Sequence, residues 1–170
     1  MPQVDRGYLD AAVISAPQIV PNHLKWQPFV AEPFLLLAPL DASSDDPAEL
    51  LRTYPFIRFT RRAWVGGMID EWLERNDIRV TESMELDTLD AIAVNVYHNL
   101  GVSIVPLNAV PSPNPLPLKR FPLGEDMAPR LLGIISRRDN SNPQLIEALL
   151  AGLSRTVNQA SVEGTRTPAN

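Results

Sequence analysis

The chain contains no cysteine. That excludes a disulfide framework, a thiolate metal site and a cysteine nucleophile, and it is compatible with the cytoplasm. Histidine is nearly absent too. His23 and His98 stand far apart, with no HExxH and no EF-hand loop, so no metal site is expected. Neither GxxxxGK[ST] nor GxGxxG occurs, and "GVSIV" lacks the second glycine of a nucleophile elbow. Ser103 lies inside that apolar run and reads as a core hydroxyl rather than a nucleophile. No apolar run approaches the ~20 residues needed to span a membrane. The start "MPQVDRGYLD" lacks the charged-then-apolar layout of a signal peptide. Basic charge is thin: the net charge is −5, the pI is near 5.0, and Arg61–Arg62, Lys119–Arg120 and Arg137–Arg138 are isolated pairs. A chain that binds DNA through its own surface carries a basic stripe to neutralise phosphates, and none is visible. The expectation is a soluble, cytoplasmic protein without cofactors.

What the chain does have is apolar sequence cut by proline. Its 170 residues are 45% apolar, enough for one full domain or two small lobes, and a chain of this size buries roughly 70% of its unfolded surface. Seventeen prolines are about twice the usual share. They gather in "SAPQIVP" and "PSPNPLPLKRFPL", with apolar runs between, and so mark connections.

"YLDAAVIS" (8–15) has the makings of a buried strand, and "LKWQPFVAEPFLLLAPL" (24–40) of one or two more. Pro28 and Pro33 imply an edge strand or a crossing between lobes. In 41–54, Asp45 or Asp46 caps a helix, Pro47 suits its first turn, and Leu50 and Leu51 face inward. "PFIRFT" (55–60) is a strand. Val65, Met68, Ile69, Trp72 and Leu73 then repeat at helical spacing over 61–78, and Val80, Met84 and Leu86 alternate over 79–86. Leu89, Ile92, Ala93, Val96 and Leu100 predict another helix, ended by a left-handed Gly101, before "VSIV". This α-β-α-β-α-β order predicts a parallel sheet with crossover helices. "LKRFPL" and "RLLGIISRR" read as two strands, 142–157 as a closing helix, and 158–170 as a disordered tail.

Two stretches could carry chemistry. Glu85, Asp87 and Asp90 crowd one helix start, where Asp87 or Thr88 can cap and Asp90 favours the macrodipole. Capping needs no substrate, whereas paired catalytic carboxylates need an opposing acid from another element. His98, at the other end of that helix, reads as a partner of its free carbonyls. In "FTRRAWVGG" (59–67), a strand runs into a helix start beside Arg61 and Arg62, which suits a carboxylate or phosphate. Gly66 and Gly67 there weaken a helix, so they point to a close backbone approach by a neighbouring strand or a ligand. The alternative is a plain capped helix with two solvated arginines.

"GYLDAAVI", "LKWQPFVAEPFLLLAP", "DPAELLRTYPFIRF", "MELDTLDAIAVNVYHNLGVSIVP", "LKRFPL", "RLLGIISRR" and the terminal helix, in this order, resemble the effector-binding (substrate-binding) domain of LysR-type transcriptional regulators. The likeness covers residues 5 to 157. It implies an α/β, two-lobed, periplasmic-binding-protein-like fold (type 2) whose first lobe is discontinuous and incomplete. Lobe I would be 1–38 and 114–157, lacking its first β-α-β, and lobe II 39–113. A small-molecule effector, a carboxylate, aromatic or sugar metabolite, would bind in the cleft. By position, its contacts would come from Ser15, Ala16, Thr60, Arg61, Trp64, Asp87, Thr88, Val105 and Pro106. The family's winged helix-turn-helix has no counterpart in these residues, so DNA would be reached only through such a domain, in a homo-oligomer, and an incomplete sheet would expose edges that favour self-association. A solute-binding protein of the same fold is the alternative. An acid/base enzyme using Glu85 or Asp87 comes third, and no residue is expected to be catalytic.

Overall fold

A computed structural model describes residues 1–108 and 114–164, with side chains placed up to residue 159. The chain divides into two compact units. One is Met1–Glu32 with the chain from Arg130 onward; the other is Pro33–Leu107 with the stretch ending at Pro129.

The first unit is built on a three-stranded antiparallel sheet. Its strands are β1 (Ala11–Ser15), β2 (Leu24–Glu32) and β8 (Arg130–Arg137), in the order β1-β8-β2. Pro28 sits on the outer strand β2 at a bulge between Pro28 and Val30, where a missing N–H is tolerated. Gly133 lies on the central strand under the Trp26 indole. A Cβ there would fall 2.5 Å from the ring, so only glycine lets the two meet. A short helix, α1 (Pro2–Asp5), buries Val4 against Leu24 and Ile135. The closing helix α5 (Pro143–Gly164) lies against β2 and buries Ile146. At the far end of β2, Glu32 pairs across the ladder with Arg130, whose guanidinium donates to its carboxylate.

In the second unit, β3 (Phe34–Ala38), β6 (Ser103–Pro106) and β7 (Lys119–Pro122) form an antiparallel sheet of order β6-β3-β7. β3 pairs with β6 on one side and with β7 on the other, and all three lie in the second unit. β4 (Pro55–Phe59) and β5 (Thr81–Leu86) pair in parallel. A parallel bridge between Phe56 and Val102 joins β4 to the start of β6, held by the Ile57 amide donating to the Val102 carbonyl at 2.9 Å. The helices α2 (Pro47–Thr53), α3 (Trp64–Arg75) and α4 (Leu89–Tyr97) cover this array. Leu36, Phe56, Ile57, Ile92, Val96 and Ile104 are fully or almost fully buried together. Ser103 is buried among them and donates to the Ile57 carbonyl at 2.7 Å, a satisfied core hydroxyl.

Helix starts follow the sequence: Asp46 caps α2 and Pro47 opens it. The end of α4 differs from expectation. The helix stops at Tyr97, and Asn99 (φ 63°), not Gly101, takes the left-handed conformation. Asn99 pays for this locally by donating its side-chain amide to the Asp41 carboxylate at 3.0 Å. Leu100 accordingly leaves the inward stripe and is exposed. Gly101 serves contact rather than capping: at φ 150°, a Cβ would lie 2.2 Å from the Pro55 carbonyl oxygen. Among the described residues no helix is long and apolar enough to cross a membrane.

Candidate functional site

β4 and β5 run parallel, and the Phe56–Val102 bridge gives β6 the same direction. Their carboxyl ends, near Thr60, Asp87 and Pro106, therefore share one edge of the second unit. That is the edge at which open α/β sheets receive ligands. Of the residues singled out from sequence, this edge gathers Thr60, Arg61, Trp64, Asp87, Thr88, Val105 and Pro106. Ser15 ends β1 in the first unit, and Ala16 follows it.

The turn after β4 is held tightly. The Thr60 amide donates to the Leu86 carbonyl at 2.9 Å, and Thr60 Oγ1 donates to Glu85 at 2.7 Å. The Arg61 amide also reaches Glu85, at 3.3 Å. The Thr60 hydroxyl holds the Glu85 carboxyl below its ordinary range, with the Arg61 amide and guanidinium adding to the effect. A carboxylate kept ionised in this way is a poor proton donor at neutral pH.

Arg61 turns its guanidinium away from the carboxyl edge. It donates to Glu82 at 2.7 and 3.2 Å and lies 3.4 Å from Asp70. Glu82 and Asp70 also hold Arg58, a strand residue that is only 3% exposed. Two arginines and three acids thus form one network binding β4, β5 and α3. A depression of about 560 Å³ opens beside it, lined by Arg58, Arg61, Asp70, Leu73, Glu74, Asp77, Ile78, Arg79 and Val80. Three basic and three acidic side chains in that lining leave it without net charge.

α3 begins without a side-chain cap, because its N-cap residue is Ala63. The Ala63 and Gly66 amides find carbonyls, and the Arg62 amide finds Thr60 Oγ1 at 3.4 Å. The amides of Trp64 and Val65 have no acceptor among the described residues, as expected for a first turn. Trp64 is 47% exposed beside them. Arg62 is exposed, and its guanidinium makes no ion pair among the described residues. Sequence reading placed Arg62 near the site only as added charge. No signal in "TRRA" shows which arginine is committed to Glu82.

At the next helix, Thr88 Oγ1 accepts from the Ala91 amide at 3.3 Å and caps α4, while Asp90 sits in the first turn. Asp87 is exposed. Thr88→Ala is expected to lower stability by about 1 kcal/mol, read as a lower urea midpoint with an unchanged m-value. Val105 and Pro106 are buried within β6, opposite Leu35 and Phe34, so their side chains belong to the core. Leu107, the next residue, is exposed. No group of three acids and histidines able to hold a metal occurs among the described residues.

A parallel array whose strand ends meet helix starts defines a ligand-binding α/β module. The family model described as "LysR substrate binding domain" matches residues 1–157, and the chain belongs to that family, the effector-binding domains of LysR-type transcriptional regulators. No curated protein matches it. Solved structures do. Reduced OxyR from N. meningitidis is 18% identical, with a TM-score of 0.73 over 91% of this chain and 76% of that one. The effector binding domain of QuiR in complex with shikimate is 15% identical, with a TM-score of 0.73 over 91% and 76%. The Synechocystis PCC6803 CcmR regulatory domain in complex with 2-PG is 18% identical, with a TM-score of 0.71 over 92% and 77%. At these identities the likeness establishes the shared fold, the periplasmic-binding-protein-like type 2 fold.

Proposed function

We propose that the effector of this domain is a small carboxylate metabolite, bound in the cytoplasm at the carboxyl edge of the second unit. The observation that carries this reading is the uncapped start of α3, where two amides without acceptors among the described residues adjoin Arg62, a cation with no ion pair among those residues. A helix N-terminus and an adjacent guanidinium complement a carboxylate. Trp64 offers an exposed aromatic face for the apolar part of the ligand, and the rim of α4 at Asp87 and Thr88 bounds the other side. The QuiR effector binding domain was solved in complex with shikimate, a carboxylate. Arg61 acts by holding the Thr60–Arg61 turn in place rather than by touching the ligand. The domain is a sensor and not an enzyme: Glu85 is locked as an ionised acceptor and Asp90 serves a helix start. Ligand binding would bias the regulator's conformational equilibrium only by its differential affinity for the two states. DNA would be met through a separate winged-helix domain within a homo-oligomer.

A thermal-shift screen of carboxylate metabolites tests this on the chain itself and on an N-terminally extended form. At a hundred times its Kd a ligand adds about 2.7 kcal/mol, a rise of roughly 5–10 °C for a chain of this size. The rise should be lost in Arg62→Ala and retained in Asp87→Asn. Equal shifts in Arg62→Ala and the parent, or no response from either folded form, would sink the reading.

A further inference from the structure

The depression beside the arginine network lies wholly in the second unit, along the C-terminal half of α3 and the turn that leads to β5. Its charged lining falls into two sets. Arg58 and Arg61 are committed to Asp70 and Glu82. Glu74, Asp77 and Arg79 are exposed, and none of the three makes a side-chain hydrogen bond or ion pair among the described residues. Acids and a base that line one depression without bridging each other stand apart across it. The two acids also go against helix chemistry. Glu74 is in the last turn of α3 and Asp77 just beyond it, where the macrodipole favours cations. Asp77 takes the left-handed conformation (φ 49°) at a position usually given to glycine or asparagine. Backbone groups alone close this turn: the Asp77 amide donates to the Glu74 carbonyl at 3.1 Å, and the Ile78 amide to the Leu73 carbonyl at 3.0 Å. Local preferences broken without a local gain point to function.

We propose that this depression binds a free α-amino acid with an apolar side chain, at a site separate from the candidate carboxylate site at the other end of α3. Two carboxylates, Glu74 and Asp77, suit one ammonium group, which carries three N–H donors. The Arg79 guanidinium suits the amino acid's carboxylate, which it can meet with two parallel hydrogen bonds. Leu73, Ile78 and Val80 supply the apolar part of the lining and receive the side chain. A simple anion would meet the two acids, and a simple amine would meet Arg79, so the lining selects a ligand carrying both charges. The space, about 560 Å³, falls within the range of small-molecule sites.

Thermal-shift titrations of the chain with L-leucine, L-isoleucine, L-valine and L-methionine test this. At least one should raise the melting temperature in a saturable way. Its deaminated and decarboxylated analogues (for leucine, isocaproate and isoamylamine) should give no shift at the same concentration. Arg79→Gln and Asp77→Asn should each weaken the binding at least about tenfold. Both positions are exposed, and asparagine keeps the left-handed backbone, so both variants should fold, which far-UV circular dichroism checks. Arg62→Ala should leave the amino-acid shift intact, which separates this site from the one at the start of α3. No shift from any of the four amino acids, or an equal shift from either analogue, would overturn the proposal. So would a shift that survives Arg79→Gln unchanged or disappears in Arg62→Ala.

Discussion

Replacing Asp70 with Asn and Glu82 with Gln in one chain is expected to destabilise it by about 3–5 kcal/mol. Arg58 is the reason. Its side chain is 4% exposed, and the two acids that meet its guanidinium are 31% and 39% exposed. Among the described residues its Nε is buried without a hydrogen-bond partner, and the Phe56 ring lies 5.4 Å from its guanidinium carbon. Removing both charges leaves a buried cation facing neutral amides. Either substitution alone leaves the other carboxylate in place, so each should have a smaller effect, about 1–2 kcal/mol. The sum of the singles should then fall short of the double, the signature of groups sharing one partner. Urea denaturation of the four chains measures this.

The same network sets a pH dependence. Hydrogen bonds from Arg58, and then Arg61, lower the Glu82 carboxyl from its ordinary 4.5 to about 2. An acid depressed in the folded state stabilises fully above its unfolded value and loses that contribution as pH falls through the folded one. Stability should therefore decline between about pH 4.5 and 2, with Glu85 shifted in the same direction. Glu82→Gln should remove its share of that decline. The slope will be shallow, because water screens a carboxylate that is two-fifths exposed.

Periodicity made most of the fold legible. The stripes of α3 and α4, the Asp46 and Thr88 caps and the parallel pairing of β4 with β5 all follow from short-range pattern. The Arg58 network does not. "PFIRF" reads as a strand whatever its fourth residue does, and nothing local says that an arginine there is inside. Glu82 and Glu85 are three apart, a spacing that places side chains on opposite faces of a regular strand. They both reach Arg61 because the β4–β5 register slips between Phe56 and Ile57, leaving Ser83 as the extra residue. A bulge of this kind changes which residues share a face, and it is set by pairing rather than by the strand's own sequence. The commitment of Arg61 to Glu82 depends on it. The early end of α4 has a similar origin: Asn99 can take a left-handed turn because Asp41, distant in sequence, meets its side chain.

The adjacent glycines of α3 should respond in opposite directions to alanine. Gly66→Ala is expected to destabilise by about 1–3 kcal/mol, and Gly67→Ala to stabilise by about 0.5–1 kcal/mol. At Gly67 a Cβ meets nothing within 4 Å, so alanine only improves helix propensity. At Gly66 a Cβ would fall 2.4 Å from the Thr60 carbonyl oxygen and 2.8 Å from the Arg61 Cα. Both are backbone atoms that cannot rotate aside, so the turn itself must move. That turn carries the Thr60–Glu85 hydrogen bond and aims Arg62 and the first amides of α3. Gly66→Ala should therefore lose the thermal-shift response to carboxylates as well as stability, whereas Gly67→Ala should keep it on a higher melting baseline. A Gly66→Ala chain as stable as the parent would mean that the turn is loose. The close approach of α3 to Thr60 would then not be what positions the candidate site.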